Sequence, residues 1–267
     1  MMTENMDVRQ ILEWYLCAGV DETCGDVAFV PAPQGRALPK VEQPVSSTMR
    51  PATTGLAQNT GGACQSANDT CNSAATLEEL RAAVENFDGC ALKLTAAHTV
   101  FGDGNPQARV MFIGEAPGAD EDRIGKPFVG RSGQLLDKMT AAIGLNRDLY
   151  YICNILPWRP PGNRTPLDSE IAVCLPFLKR QIDLVDPDYI FILGGSAANS
   201  LLNMAETISK MRGHWYEYTK TNGKTARVMA SFHPAYLLRT PGQKAKAWAD
   251  LLRLSKELKA EIGAEVN

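Results

Sequence analysis

The sequence has no apolar run long enough to cross a membrane. No stretch reaches 18 consecutive apolar residues, the length at which a transmembrane helix becomes a candidate, so we expect no contact with a membrane. The N-terminus, MMTENMDVRQ, also lacks the basic region and apolar core of a secretory signal. The cysteine count, 7, is odd, and without an export signal we expect reduced thiols in a cytoplasmic protein.

The chain also lacks an overall positive charge. Its formal net charge is −3, so no global basic field indicates a nucleic-acid-binding protein. Residues 1–75 hold 4 Lys or Arg against 8 Asp or Glu, which leaves 23 and 22 of the totals 27 and 30 for residues 76–267. The larger part is therefore nearly neutral, and any DNA contact must come from a local group of cations.

Aromatic residues are absent from residues 31–75, where 25 of 45 residues are Pro, Gly, Ser, Thr, Asn or Gln. Such a composition buries too little apolar surface to offset the entropy of ordering, so we predict a flexible linker over 31–75. The preceding residues 1–30 form a predicted helical appendage, with a short amphipathic helix at 8–18. This helix is either a loosely docked appendage or a peptide that binds a protein partner through residues 1–20.

The remaining chain, 76–267, is predicted to be one folded domain of alternating strands and helices. It starts at Thr76, because Thr76-x-x-Glu79 is a capping box ahead of an apolar pattern. Apolar strands that alternate with helices indicate a parallel sheet covered on both faces. We therefore predict an α/β fold with three α/β/α layers around a central four-stranded, mainly parallel sheet. The predicted strands are 109–114, 150–155, 189–193 and 227–231; the predicted helices after them are 133–143, 165–184, 194–202 and 243–262.

Four segments follow predicted strands, where ligands bind in such folds, and they begin at Gly114, Asn154, Gly194 and His233. The first is GEAPGADED, from Gly114 to Asp122. Its glycines, Gly114 and Gly118, allow backbone N–H groups to approach a ligand closely. The clustered carboxylates can raise each other's pKa or orient water, and Glu115 comes first after the strand. The alternative is a solvated acidic turn.

Two further residues have side chains suited to a planar, polar ring. Phe128 lies in the loop GKPFVG, where it is either a stacking platform for a flipped base or an anchor on the core. Asn154 ends the strand YYICN and offers one acceptor and two donors on a fixed fork. This fork matches the Watson–Crick edge of uracil, whereas cytosine presents the opposite pattern at position 4. The alternative for Asn154 is a turn or capping residue.

The cations expected to contact DNA follow in two loops. The Pro-rich segment PWRPPGNR carries Arg159 and Arg164, which suit phosphates. The segment FHPAYLLR carries His233, whose imidazole can donate a hydrogen bond to an oxygen that gains negative charge, unless it is only structural. It continues into Tyr236, Leu237, Leu238 and Arg239, the composition of an apolar wedge with a cation that holds the DNA backbone.

Taken in order, GEAPGADED, GKPFVG, the strand-end Asn with RPPGNRTP, ILGGSAA, RGHWYE and FHPAYLLR resemble the uracil-DNA glycosylase superfamily, and family 4 in particular. The resemblance covers about residues 87–258. It implies a flipped uracil in a pocket at the end of a parallel sheet. It also implies a monofunctional enzyme that hydrolyses the N-glycosidic bond of deoxyuridine in DNA.

The resemblance assigns roles to residues of this chain. Glu115 falls in the turn that holds uracil and the attacking water, and Glu121 in the acidic tail that helps to organise water. Phe128 falls at the stacking position, and Asn154 at the position that distinguishes pyrimidine edges. His233 falls where charge on uracil O2 is supported. The remaining implied contacts are Gly114, Ala116 and Gly118 with the base, and Arg159, Arg164, Tyr236, Leu237, Leu238 and Arg239 with DNA.

Family 4 enzymes hold a four-iron cluster on four cysteines, and this sequence departs from that pattern. Only Cys90 and Cys174 stand at cluster positions, because Phe87 and Trp158 occupy the other two. Two thiolates do not hold a cluster that needs four ligands, so we expect no iron–sulfur cluster and no other metal. Large aromatic side chains can fill the volume instead. Cys64 and Cys71 restore a count of four, but at the wrong spacing.

Uracil-containing DNA is the expected partner, and we expect a monomer. Two alternatives remain open from the sequence. One is a non-catalytic DNA-binding protein of the superfamily that senses damage. The other is a glycosylase for a different deaminated base, such as hypoxanthine or xanthine.

Overall fold

The computed structural model describes the backbone of residues 60–265 and the side chains of residues 61–260. These residues belong to a compact unit that spans Asn59–Asn267. The predicted helix at 8–18 and the predicted partner segment 1–20 lie outside the described residues. Among the described helices, none is long and apolar enough to cross a membrane.

The domain has the predicted α/β architecture, with helices on both faces of one sheet. The strands are β1 (Asp103–Gly104), β2 (Val110–Gly114), β3 (Tyr150–Asn154), β4 (Tyr189–Leu193), β5 (Trp215–Thr219) and β6 (Thr225–Ser231). The helices are α1 (Thr60–Ser73), α2 (Leu77–Asn86), α3 (Ala119–Ile124), α4 (Arg131–Ala141), α5 (Asp168–Val185), α6 (Gly195–Leu202), α7 (Ile208–Met211), α8 (Pro234–Arg239) and α9 (Lys244–Glu265). The strand order is β1-β3-β2-β4-β6-β5.

The sheet has six strands rather than the predicted four. The four predicted strands form its centre, where β3, β2, β4 and β6 run parallel. The two additional strands pair antiparallel at the edges, β1 with β3 and β5 with β6. They escaped prediction because β1 has only two residues and β5 alternates half-buried with exposed side chains, so neither shows an apolar run.

Alternate residues of the central strands enter two separate cores. On β2, Val110 and Phe112 join the core formed with α4 and α9. Met111 and Ile113 enter the opposite core, which contains residues of α1, α2 and α5. This period of two puts one face of every strand on each helical layer, so the sheet is buried on both sides. In such folds, ligands bind at the loops beyond the carboxyl ends of the strands.

The linker prediction is wrong for its last part, because residues 60–73 form helix α1. Ala67 and Cys71 are buried there, and the half-buried Ala63 and Cys64 pack against the same core. Small apolar residues at 63, 67, 71 and 74 recur at helical spacing and pack on α5, which supplies the larger side chains. The predicted start of the folded domain at Thr76 is therefore too late. Thr76 is confirmed as the N-cap of α2, since Glu79 N–H donates to Thr76 Oγ1 at 3.1 Å, but the Glu79 carboxylate accepts from Ala75 N–H at 2.6 Å and not from the Thr76 amide of a capping box.

Candidate active site

A cavity of about 420 Å³ opens at the carboxyl ends of the central strands. Parallel pairing places Gly114 of β2 directly beside Asn154 of β3. On the other side, Leu193 of β4 pairs with Ser231 of β6, two residues before His233. The motifs that are distant in sequence therefore meet at one edge of the sheet. The cavity is lined by Glu115, Ala116, Pro117, Gly118, Glu121, Phe128, Ser132, Asn154, Pro160, Asn163, Arg164, His233, Ala235, Tyr236 and Arg239.

Asn154 presents an unused acceptor to this cavity. Its side chain is buried, and within the described structure Oδ1 has no hydrogen-bond partner. Such an acceptor is costly unless a ligand satisfies it. The Asn154 side chain can occupy its position only because residue 114 is a glycine. A Cβ on Gly114 would overlap Asn154 Oδ1 and would come within 2.5 Å of Phe128 Cζ. Gly114 therefore acts by being small, not by touching the cavity.

Phe128 is buried and forms part of the cavity wall. Its backbone is left-handed, with φ of 54°, a conformation that is strained for a residue with a bulky side chain. The close approach of the Phe128 carbonyl to α4 requires Gly133, where any Cβ would overlap that oxygen. The Phe128 ring lies 5.7 Å from the imidazole of His233, measured between centroids. The ring is thus part of the cavity wall beside His233, and its role as a stacking surface stays a prediction.

The hydrogen bonding of His233 determines its tautomer. His233 caps helix α8, and its Nδ1 accepts a hydrogen bond from Ala235 N–H at 3.1 Å. Burial, and secondarily the charge of Arg239, lowers the pKa of His233 to about 4. The ring is therefore neutral near pH 7, and because Nδ1 is an acceptor, the proton lies on Nε2. His233 can donate from Nε2 without carrying a charge.

Glu115 and Glu121 both line the cavity but differ in their surroundings. Burial raises the pKa of the Glu115 carboxyl above its ordinary value. The Glu121 carboxylate instead accepts from three backbone amides, those of Gly118 at 3.1 Å, Val129 at 3.0 Å and Gly130 at 2.8 Å. Glu121 therefore joins the GEAPG turn to the loop of Phe128, and its role with water stays a prediction.

The helix α8 corrects one predicted DNA contact. Leu237 is fully buried and packs in a small core with Leu135, Phe232 and Ala247. Because an α-helix turns 100° per residue, Leu238 points elsewhere and is 37% exposed. The prediction that Leu237 enters the duplex is wrong for this arrangement, whereas Leu238 stays a candidate.

The four other predicted DNA contacts have different partners. Tyr236 and Arg239 line the cavity mouth. Arg164 also lines it, but Glu170 holds its guanidinium with two hydrogen bonds of 2.9 and 2.5 Å. Arg159 does not line the cavity; its Nε donates to Asn163 Oδ1 at 2.7 Å within the Pro-rich loop. Arg159 therefore shapes that loop, and Arg239 is the more accessible cation.

Sequence reasoning missed several lining residues, which are Pro117, Ser132, Pro160, Asn163 and Ala235. All except Ser132 belong to the motifs already predicted, so the motifs were found but their full contact surfaces were not. Ser132 follows Gly130 at the start of α4, and only the fold shows that this helix begins at the cavity.

The positions that resemble cluster ligands form a packed region. We call Phe87, Cys90, Trp158 and Cys174 the thiol–aromatic cluster; all four are buried in the same core. The sulfur atoms of Cys90 and Cys174 lie 3.9 Å apart. Phe87 meets the ring of Phe177 edge-on at 5.0 Å, and Trp158 Nε1 donates to Thr99 Oγ1 at 3.0 Å. Apolar rings therefore stand where two ligands would be needed, and the residues present do not fit a four-iron cluster.

Cys64 and Cys71 belong to the same core region, and Cys64 lies near enough to Cys174 to help raise its pKa. Both lie on α1, and burial raises the pKa of the Cys71 thiol to about 12, which opposes the thiolate form that binds metals. Over the side chains that the structure describes, no three His, Cys, Asp or Glu residues are arranged to hold a metal ion.

Comparison with known proteins points to one family. The model of the uracil DNA glycosylase superfamily matches residues 101–252. A type-4 uracil-DNA glycosylase of Thermotoga maritima is 40% identical over 164 residues, which are 61% of this chain and 83% of that protein. A type-4 uracil-DNA glycosylase of Archaeoglobus fulgidus is 38% identical over 185 residues, covering 68% of this chain and 92% of that protein. A type-5 uracil-DNA glycosylase of Pyrobaculum aerophilum is 30% identical over 168 residues, covering 56% and 72%.

Proposed function

Because the chain belongs to the uracil DNA glycosylase superfamily, we propose that it hydrolyses the N-glycosidic bond of deoxyuridine in DNA, releasing uracil and leaving an abasic site. The observation that carries the proposal is the buried, unpaired Oδ1 of Asn154 beside the ring of Phe128. An acceptor and a flat apolar surface together suit a planar base with an N–H on its edge. Uracil offers that N–H at N3.

Substrate entry requires that the nucleotide leaves the stack, because Phe128 and Asn154, the residues proposed to contact the base, are buried. Leu238, exposed on α8 beside the lining residue Arg239, is the candidate wedge, and Arg239 is placed to hold a phosphate. The flipped uracil stacks on Phe128. Its N3–H donates to Asn154 Oδ1, and the Asn154 amide donates to O4. Cytosine lacks the N3 proton and therefore leaves the Asn154 acceptor unsatisfied.

Bond cleavage moves charge onto the leaving base. As the bond between C1′ and N1 breaks, its electron pair goes to uracil and the sugar takes on oxocarbenium character. The neutral His233 donates from Nε2 to uracil O2, where negative charge develops. Glu115, when ionised, orients a water molecule whose oxygen bonds to C1′ and whose proton is released. The anionic Glu115 also stabilises the positively charged sugar.

The expected products are free uracil and an intact DNA strand with an abasic site. A Schiff-base mechanism needs a lysine at the reacting carbon, and the described cavity lining contains none. The catalytic domain of this proposal starts at α1 rather than at Thr76, because α1 packs on α5 as part of the same unit.

We further propose that the active protein carries no iron–sulfur cluster. Phe87 and Trp158 fill the space of two ligands with rings that have their own packing partners. Packing of Phe87 on Phe177 then connects the end of α2 to α5. Iron and acid-labile sulfide analysis of the purified protein, together with its absorption near 400 nm, decides this point.

The activity is tested with oligonucleotides that contain one uracil, as single strands and as duplexes opposite guanine or adenine. Alkali after incubation should cleave the strand at the uracil position, whereas omission of alkali should leave it intact. Retarded DNA with no released uracil would instead identify a binding protein. Parallel substrates with hypoxanthine or xanthine define the base range, and faster release of either would displace uracil as the substrate.

A further inference from the structure

Arg147 lies outside the cavity lining but contacts the loop that carries Phe128. It belongs to the connection between α4 and β3. Its Nη2 donates to the carbonyl of Phe128 at 2.7 Å, and its Nη1 donates to the carbonyl of Pro127 at 3.3 Å. Its Nε donates to Asp137 Oδ1 at 2.8 Å. One guanidinium thus connects two consecutive loop carbonyls to a carboxylate on α4.

The Phe128 loop needs such support because its backbone is strained. Phe128 has φ of 54°, a left-handed conformation that bulky residues adopt only where the surroundings impose it. The next two amides, those of Val129 and Gly130, donate to Glu121 Oε1. The four residues 127–130 are therefore held from two sides. A cation binds the first two carbonyls, and an anion binds the last two amides.

The anchor of Arg147 is itself fixed to the sheet. Asp137 Oδ1 also accepts from the hydroxyl of Tyr150 at 3.1 Å, and Tyr150 is a fully buried residue of β3. Asp103 Oδ2 lies 3.9 Å from Arg147 Nη1 on the far side. The guanidinium is thus fixed between two carboxylates and the loop, and its side chain is only 25% exposed.

We propose that Arg147 is a positioning residue that holds the Phe128 ring in register with Asn154. The inference rests on the proposed function of Phe128 as the stacking surface for uracil. Arginine is required because its planar fork donates in three directions at fixed angles. A lysine ammonium has the charge but cannot reach both carbonyls and Asp137 with that geometry. Displacement of the ring by a fraction of an ångström misaligns the base with His233.

The test compares Arg147→Gln, Arg147→Lys and a charge-matched control, Lys256→Gln, at an exposed position of α9. Arg147→Gln should lower single-turnover excision of uracil by about 10- to 100-fold. Arg147→Lys should recover only part of this loss. Affinity for uracil-free duplex should stay unchanged, since the Arg147 guanidinium is bound to Asp137 and to the Phe128 carbonyl. Lys256→Gln should match the wild type in every assay.

A double-mutant cycle separates positioning from a general structural role. If Arg147 acts through Phe128, Arg147→Gln should cost little further activity in a Phe128→Leu background. Equal losses in both backgrounds, measured at least 15 °C below each unfolding midpoint, would overturn the inference. Full activity of Arg147→Gln or Arg147→Lys would do the same.

A measurement without catalysis keeps the inference separate from the proposed function. Hydrogen–deuterium exchange of a peptide that covers residues 127–130 should accelerate in Arg147→Gln and stay unchanged in Lys256→Gln. Unchanged exchange in Arg147→Gln would overturn the inference even for an active enzyme. Absence of uracil release by the wild type would refute the proposed function, and the exchange experiment would still decide whether Arg147 holds the loop.

Discussion

The cavity and the thiol–aromatic cluster lie within one domain but differ in backbone strain and in how well their polar groups are hydrogen-bonded. In the cavity, Asn154 has a buried acceptor without a partner, Phe128 has a left-handed backbone, and burial raises the pKa of Glu115. In the thiol–aromatic cluster, the Trp158 N–H has its acceptor and the ring of Phe87 packs on Phe177. Of these two regions, the cavity is therefore the one that contains a strained backbone and an unmet hydrogen bond.

This difference predicts that the cavity residues serve the chemistry, whereas the thiol–aromatic cluster serves stability. Unsatisfied polar groups and strained backbones cost stability, and they persist where a ligand uses them. A packed cluster of rings and thiols contributes stability through burial and offers no group to a substrate. Substitutions in the cavity should therefore reduce activity more than stability, and substitutions in the cluster should do the reverse.

The largest expected effect comes from Asn154→Asp. An ionised aspartate at this position has no amide donors and presents two acceptors and a negative charge to the O4 edge of uracil. We expect uracil excision, measured well below the unfolding midpoint, to fall by about 1,000-fold, equivalent to about 4 kcal/mol of transition-state stabilisation. Single-turnover assays on uracil- and cytosine-containing duplexes measure the loss and any change of base.

Asn163→Asp is the matched control, because Asn163 lines the same cavity from an exposed loop position. Its Oδ1 accepts from Arg159, a contact that a carboxylate preserves. It should retain most of the wild-type rate. Unchanged uracil excision by Asn154→Asp would refute the base-reading role of Asn154.

The next effect should appear in stability, with Trp158→Ala. Removing a fully buried indole from a core leaves a cavity, and such changes cost about 3–5 kcal/mol. Chemical denaturation with a constant slope measures this loss. Trp158→Phe should cost less than Trp158→Ala, because it keeps one six-membered ring and loses only the pyrrole part of the indole with its hydrogen bond to Thr99. Well below the unfolding midpoint, Trp158→Phe should excise uracil at nearly the wild-type rate. A loss of activity comparable to that of Asn154→Asp would contradict the assignment of the thiol–aromatic cluster to stability.

Adjacent leucines of α8 test the same division within two residues. Leu237→Ala should lower the free energy of unfolding by about 2–5 kcal/mol, because Leu237 is fully buried. Leu238→Ala should leave stability nearly unchanged and reduce excision from duplex DNA by about 10-fold, with a smaller loss on single strands, where no stack is opened. Denaturation curves and rates on both substrates distinguish the two. The wedge role of Leu238 would be wrong if duplex and single strand were affected equally.

Much of the fold and the cavity was predictable because the signals are local in sequence. Buried strands such as YIFIL appear as apolar runs, and the motifs that follow them meet because parallel strands end at one edge. The failures have physical causes too. Helix α1 buries only small residues, so its composition indicates a linker. Leu237 and Leu238 are equally apolar, and only the docking of α8 decides which of them is buried.

Other features depend on distances that a sequence does not encode. The contact between Arg147 and the Phe128 carbonyl joins residues 19 positions apart through a loop whose path no periodicity reveals. Glu121 was predicted from its motif, yet its three amide partners come from the folding of two loops onto each other. Long-range polar contacts are therefore what the structure adds to the motifs.

The smallest predicted effect concerns pH, and it distinguishes Glu115 from His233. Burial raises the pKa of Glu115. As the pH falls, Glu115 therefore loses its ionised, active form at a higher pH than an ordinary carboxyl does. His233, with a pKa of about 4, stays neutral across that range. The dependence of kcat/KM on pH should therefore show one acid limb, which belongs to Glu115 in the free enzyme. Glu115→Gln should lower the rate and remove this limb.

The unfolding midpoint must be followed over the same pH range, because His233 affects stability in the same direction. Its imidazole takes up a proton below about pH 6.5 in the unfolded chain and only near pH 4 in the folded one. The folded state therefore loses stability as the pH falls from about 6.5 towards 4. An acid limb centred near pH 6.5 that persists in Glu115→Gln, in protein that is still folded, would show that His233 titrates instead and would overturn its assignment as a neutral donor.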